Sequence, residues 1–198
     1  EVREQIEQST GIPSHSNAGF LIPDRSTPDT LMIRPLNNIK EALPWLNTLI
    51  EQIVSSVVIA SQNRFKAHLK VIKGKVRGIS CNRRKESYLD TEVTVLLFES
   101  IDKEKGIITV NFACHPVIVQ VQDLISADYV GILETMVENT LKGIKGCLFF
   151  QGACGDVNPI MGDTRDFRDV YLTGITLAGE VIKNYGYMIA SDYPIQPV

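Results

Sequence analysis

Cys147–Pro159 reads CLFFQGACGDVNP, an apolar run that breaks into two glycines, a thiol, an aspartate and an Asn-Pro pair. The run has strand length and is bounded by glycine and proline, so it predicts a strand entering a tight loop. Glycines there let the chain take positive φ and approach a ligand closely. Loops carried on such strands commonly hold binding and catalytic residues. A second stretch, ITVNFACHP, Ile108–Pro116, repeats the design: a β-branched strand delivers His115, and Pro116 then stops the ladder because it has no N–H.

Working outward, EVREQIEQSTGIP reads as a charged helix stopped at Gly11 and Pro13, and Ser14 to Pro35 has the Ser, Pro, Asp and Asn content of a long loop. Leu46, Leu49, Ile50, Ile53, Val54, Val57 and Val58 recur at helical spacing, giving a helix with one face suited to packing on a sheet. FKAHLKVIKGKVRGIS, TEVTVLLFES and GIITVNFACHP predict at least three strands, the last two forming a hairpin across IDKEKG. SADYVGILETMVENTLKGI and DVYLTGITLAGEVIKNYG read as helices on either side of the CLFF strand. The fold class is therefore α/β, a mixed β-sheet flanked by helices, with the site at the C-terminal ends of strands. Residues 1–198 are expected to form a single domain, truncated at both ends because the chain opens inside a helix without Met.

Composition narrows function. With 44% hydrophobic residues, 22% charged residues and a net charge of -3, the chain is globular, and it lacks the basic excess of a nucleic-acid binder. Its apolar runs fall short of the roughly 18 to 20 residues that cross a bilayer, so no transmembrane segment is expected. Cys81, Cys114, Cys147 and Cys154 form no C-x-x-C pair and mostly adjoin apolar residues, as free thiols of a reducing compartment such as the cytoplasm do. No G-x-S-x-G, G-x-G-x-x-G or P-loop occurs, which removes support for those types of serine esterase, dinucleotide binding and nucleotide hydrolysis.

His115 is placed either as a metal ligand or general base, or as a histidine satisfied within the core. Asp156 either orients that imidazole or caps a helical turn, and Asn158 before Pro159 also suits an Asx turn. Ser126 reads as an N-cap with Asp128 in the first helical turn, where the dipole favours a carboxylate; substrate contact is the other reading. Arg83 and Arg84 suit an anion clamp or solvated ion pairs. His68 reads as structural or solvated, and His15 as a ligand or a bystander in the long loop.

Taken in order, GISCNRR, VNFACHPVIVQ, LISADYVGILE and LFFQGACGDVNP resemble the neutral/alkaline ceramidase family, zinc-dependent amidohydrolases that cleave the N-acyl bond of ceramide. The resemblance runs from EVREQIEQSTGIP to about GEVIK. It implies that His115 is a zinc ligand, that Arg83 lines the active site, and that Asp128 and Gly131 belong to the S-x-D-x-x-G segment beside it. GACGDVNP matches the catalytic-serine segment G-D-V-S-P, with Asn158 at the serine position. Gly155, Asp128 and Gly131 are accordingly expected to bind substrate, and His15 in SHSNAG stands near where the family carries a zinc-binding His-Thr-His motif.

The expected activity is zinc-dependent hydrolysis of an amide (N-acyl) or related carbonyl bond by metal-activated water. Asn158 and Arg83 would steady the oxyanion and Asp156 would orient the shell. The expected substrate is a small-molecule or lipid-like N-acyl compound. The alternative is a catalytically silent relative with a binding or structural role, since an amide at position 158 is no nucleophile. In the family the glutamate and tyrosine zinc ligands lie further toward the C-terminus, beyond Val198; residues 1–198 are expected to contain no counterpart of its immunoglobulin-like C-terminal domain, and family members are often secreted.

Overall fold

The computed structural model describes residues 2–11, 39–120, 125–160 and 166–191. They fall into two compact units, Glu1–Phe65 and Lys66–Val198. The expected loop over Ser14–Pro35, with His15, lies outside the described residues.

The first unit contains α1 (Val2–Thr10) and α2 (Ile39–Gln62), which pack on one another. Gly11 ends α1 as expected: its φ is 71° and its N–H donates to the Glu7 carbonyl at 2.8 Å. Only glycine adopts that left-handed conformation without a Cβ penalty.

The second unit is built on β1 (Ala67–Lys75), β3 (Glu92–Ser100), β4 (Gly106–Phe112) and β5 (Ile144–Gln151), which form one sheet in the order β1-β3-β4-β5. β1, β3 and β4 are antiparallel neighbours, and β5 runs parallel to β4. The hairpin across Ile101–Lys105 is present, closed by the Lys103 N–H to the Ser100 carbonyl at 2.8 Å. A parallel pair needs a crossover, and α3 (Asp128–Thr140) supplies it between β4 and β5.

Alternation along the strands sets the core. Val93, Val95 and Leu97 of β3 and Ile108, Val110 and Phe112 of β4 are buried on one face, with Tyr129, Leu133 and Val137 of α3. Leu177, Val181 and Met188 of α4 (Phe167–Ala190) join the same cluster. The opposite face carries Leu69, Val71, Leu148 and Phe150, each about half exposed.

One close approach between α3 and α4 depends on glycine. A Cβ on Gly174 of α4 would lie 2.5 Å from the Ile132 Cβ and 2.9 Å from the Tyr129 carbonyl oxygen of α3, so the helices cross in contact there. The edge strand β5 has its outward amides occupied: Cys147 N–H donates to Glu138 Oε1 at 2.7 Å and Phe149 N–H to Glu134 Oε1 at 3.1 Å. Glu134 and Glu138 stand one turn apart on α3, matching the two-residue step along the strand. An edge covered in this way offers fewer free amides to another strand.

A second, two-stranded sheet pairs β2 (Ser80–Asn82) antiparallel with β6 (Val157–Pro159), with Cys81 opposite Asn158. No described helix is long and apolar enough to cross a membrane.

Candidate functional site at the ends of β4 and β5

Because β4 and β5 are parallel and Phe112 is register partner to Gln151, their carboxyl ends open side by side. The two chain exits are stitched together: the Gly152 N–H donates to the Phe112 carbonyl at 2.9 Å, and Gln151 Nε2 donates to the same oxygen at 3.3 Å. A Cβ on Gly152 would meet the Ala113 backbone nitrogen and Cα at 3.0 Å. The glycine therefore serves close approach between the exits. The loop does not use the positive φ that its glycines permit: the described left-handed glycines are Gly11, Gly78 and Gly143.

Three residues after the end of β4, half-buried His115 donates its backbone N–H to the Val157 carbonyl at 3.0 Å. The Val157 N–H in turn donates to the Cys154 carbonyl at 2.8 Å, closing a four-residue turn with Gly155 and Asp156 at its centre. The turn delivers the Cys154 thiol to the imidazole: Sγ lies 3.3 Å from Nδ1 and 3.8 Å from Nε2 of His115.

The β2–β6 ribbon brings in the arginine. The Arg83 N–H donates to the Asp156 carbonyl at 2.8 Å, and its guanidinium Nη2 donates to the Gly155 carbonyl at 2.7 Å. The Asp156 carboxylate accepts from Asn82 Nδ2 at 3.0 Å. The helix-cap reading of Asp156 is overturned, because β6 follows it directly: a paired extended strand has no orphan helical amides to cap. Asn158 is half-buried on β6. Thus His115, Arg83, Gly155, Asp156 and Asn158 occupy one hydrogen-bonded frame.

Asp128 and Gly131 serve the start of α3. Asp128 is buried with φ at 52°, and its carboxylate accepts from the Tyr129 N–H at 2.8 Å and the Val119 N–H at 3.2 Å. Burial pushes its carboxyl above the ordinary value of 3.8, against those backbone bonds, which pull the other way. Ser126 Oγ accepts the Asp128 N–H at 2.9 Å, but the residue in the cap position is Ala127, which makes no side-chain cap bond. Gly131 lets the first turn close, since a Cβ there would sit 2.8 Å from the Ala127 Cβ.

Two residues that sequence reasoning passed over matter here. Tyr129, fully buried, donates its hydroxyl to the Cys114 carbonyl at 2.6 Å and so holds the chain directly before His115. Cys154 was read only as a free thiol; its place between two turn glycines was the available clue. Gln151 Oε1 and Ser80 Oγ, each adjoining the site loops in sequence, are buried with no hydrogen-bond partner among the described residues. Buried acceptors of that kind are satisfied by water, an ion or a ligand group.

Zinc takes three or four protein ligands. Among the described residues no group of three or more His, Cys, Asp or Glu side chains could hold a metal ion. Of the two expected histidine ligands, His115 falls among the described residues and His15 lies outside them, so the described residues by themselves do not complete a zinc site.

No protein-family profile matches the sequence, and no curated protein matches it. Among solved structures, the chain is similar to the neutral ceramidase from Pseudomonas aeruginosa, with 21% identity and a TM-score of 0.59. It is likewise similar to a ceramidase complexed with C2, with 20% identity and a TM-score of 0.60. Each match covers 71% of this chain and 26% of the ceramidase, so the likeness is one of fold over part of those proteins.

Proposed function

We propose that this chain is the site-bearing part of a zinc-dependent hydrolase that cleaves an amide (N-acyl) or related carbonyl bond in a small-molecule or lipid-like substrate. The observation that carries the reading is the frame at the exits of β4 and β5, where His115, Arg83, Asp156 and Asn158 are tied through backbone bonds within a ceramidase-like fold. His115, with ligands from beyond the described residues, would hold the ion. The chemistry that zinc supplies when bound is activation of water near neutral pH.

The chain's own residues divide the remaining work. Asn158 carries an amide that donates a hydrogen bond to a developing oxyanion, and the cationic Arg83 on the adjoining strand end adds charge of the matching sign. Asp156 anchors Asn82, and Asn82 Oδ1 accepts the Arg84 N–H at 2.9 Å, which steadies the arginine turn. Gly155, Asp128 and Gly131 would bound the substrate side, Gly155 by leaving room: nothing described lies within 4 Å of where its Cβ would be.

A second reading, a silent relative that binds without hydrolysis, is favoured by Asn158 itself, which stands on a paired strand and has no nucleophilic oxygen. One experiment separates the two: metal content and hydrolysis of short- and long-chain N-acyl amides by the full-length protein, with His115→Ala alongside. Near-stoichiometric zinc and turnover, both lost in His115→Ala, are expected. A cooperatively folded protein that holds zinc but cleaves none of the amides would leave the silent relative, and one without zinc would refute the metal site.

A further inference from the structure

Resting on the reading of His115 as a site residue, we infer that Asp128 and Tyr129, the first two residues of α3, are positioning residues for it: together they grip, at both ends, the loop that carries the imidazole. The loop runs from Cys114, just past the end of β4, to Val119, and is neither helix nor strand. A segment of that kind keeps one conformation only where hydrogen bonds and packing restrain it.

The peptide unit that enters His115 is planar, and both of its polar groups are taken. Its carbonyl, that of Cys114, accepts the Tyr129 hydroxyl at 2.6 Å, and its N–H, that of His115, donates to the Val157 carbonyl at 3.0 Å. α3 and β6 thus hold this plane from two sides. The His115 carbonyl accepts the Val117 N–H at 3.0 Å, which restrains the next peptide unit as well. At the far end, one oxygen of the Asp128 carboxylate accepts the Val119 N–H at 3.2 Å while the other accepts the Tyr129 N–H at 2.8 Å. Cys114, Ile118 and Val119 are buried and His115, Pro116 and Val117 half-buried, so the loop is anchored at its ends and open at its middle, where the imidazole stands.

Backbone strain marks the same grip. Asp128 sits at φ 52°, a left-handed conformation that an L residue enters at a cost and keeps only where its surroundings over-determine it. Its N–H bond to Ser126 Oγ at 2.9 Å and its two carboxylate bonds supply that restraint. What the strained residue adds is the bond across to Val119, nine residues back in the chain. Site groups act only when held close to their productive geometry, and a misplacement of about 1 Å costs about 10²-fold in rate.

The test observes the imidazole itself. The 198-residue sequence has three histidines, so the carbon–proton NMR spectrum of histidine-labelled full-length protein resolves the His115 ring, assigned by its loss in His115→Ala. Tyr129→Phe and Asp128→Asn should each displace or broaden the His115 ring signal by more than its linewidth and leave that of His68, on β1, in place, with circular dichroism confirming the fold. Val95→Ala opens a cavity at a fully buried position of β3, outside the loop; it lowers stability and should leave the His115 signal where it was. An unmoved His115 signal in both folded variants, or one that Val95→Ala moves as far, would overturn the inference and leave the proposed function standing. Should neither variant fold, amide hydrogen exchange of the unaltered protein decides. The His115 and Val119 amides should then exchange as slowly as that of Leu133 in α3, and faster exchange at both would overturn the inference. The expected response of His115 in a protein that neither holds zinc nor cleaves amides would keep the grip and refute the proposed function alone.

Discussion

Removing the Tyr129 hydroxyl isolates one bond that holds the site loop. Tyr129→Phe keeps the ring, fully buried, and its edge-to-face contact with Phe149, whose centroid lies 5.9 Å away at 90°. What is lost is the 2.6 Å hydrogen bond to the Cys114 carbonyl. A buried hydrogen bond contributes about 0.5–1.5 kcal/mol net, and an acceptor left without its partner costs about 1–3 kcal/mol. The substitution should therefore destabilise the fold by about 1–3 kcal/mol, most of it from the stranded carbonyl. In urea, where the slope for a small domain is about 1–3 kcal/mol per molar, the midpoint should fall by about 1 M. Paired urea curves by far-ultraviolet circular dichroism measure this, and Tyr129→Ala, which also deletes the ring, should cost about 3–5 kcal/mol. A Tyr129→Phe midpoint within error of the parent would refute the reasoning, because it would mean the bond to Cys114 contributes nothing.

Gly174→Ala should destabilise by about 1–3 kcal/mol despite alanine's better helix propensity, because the new methyl meets the Ile132 Cβ at 2.5 Å; thermal unfolding reads this out. The pH dependence follows from Asp128. Its folded-state carboxyl titrates above the ordinary value, so the folded chain keeps that proton where the unfolded chain has lost it. Its contribution is most favourable below about pH 4, falls as pH rises through the interval up to the raised folded value, and is flat above it. Asp128→Asn should flatten that slope in denaturant midpoints measured against pH, at a cost of about 1 kcal/mol, since an amide has one oxygen for the two backbone donors. Native-state thiol labelling should find exposed Cys81 fastest. Cys147, whose thiol is pushed up to about 12 chiefly by burial, and Cys114, raised chiefly by burial as well, should react only as the protein opens.

The frame of the molecule was written in local pattern. Apolar alternation over Glu92–Ser100 and Gly106–Phe112, the turn between them, the glycine stop at Gly11 and the helical spacing of Asp128–Thr140 and Phe167–Ala190 each depend on neighbours within a few residues, and the structure has these elements. The strand ends were legible for the same reason, since Pro116 and the glycines of GACGD stop a ladder wherever the strands lie. That β4 and β5 run parallel, and so open His115 and the GACGD loop side by side, was not legible. Register between strands is set by packing over long sequence separations and not by local preference.

The site shows the same division. Sequence singled out His115, Asp156, Asn158 and Arg83 by residue type and by resemblance, but it left open a helix cap at Asp156 where a strand follows, and it could not show that Gly152 serves contact with Ala113 and not a left-handed turn. It left Cys154 an ordinary buried thiol and Tyr129 a core residue. Their partners, His115 and the Cys114 carbonyl, lie 39 and 15 residues away in sequence. Which residues could carry chemistry is a property of side chains and is present in the sequence. Which of them meet is a property of chain crossings, and only the assembled sheet, with α3 packed against β5, brought the thiol to the imidazole and the hydroxyl to the carbonyl.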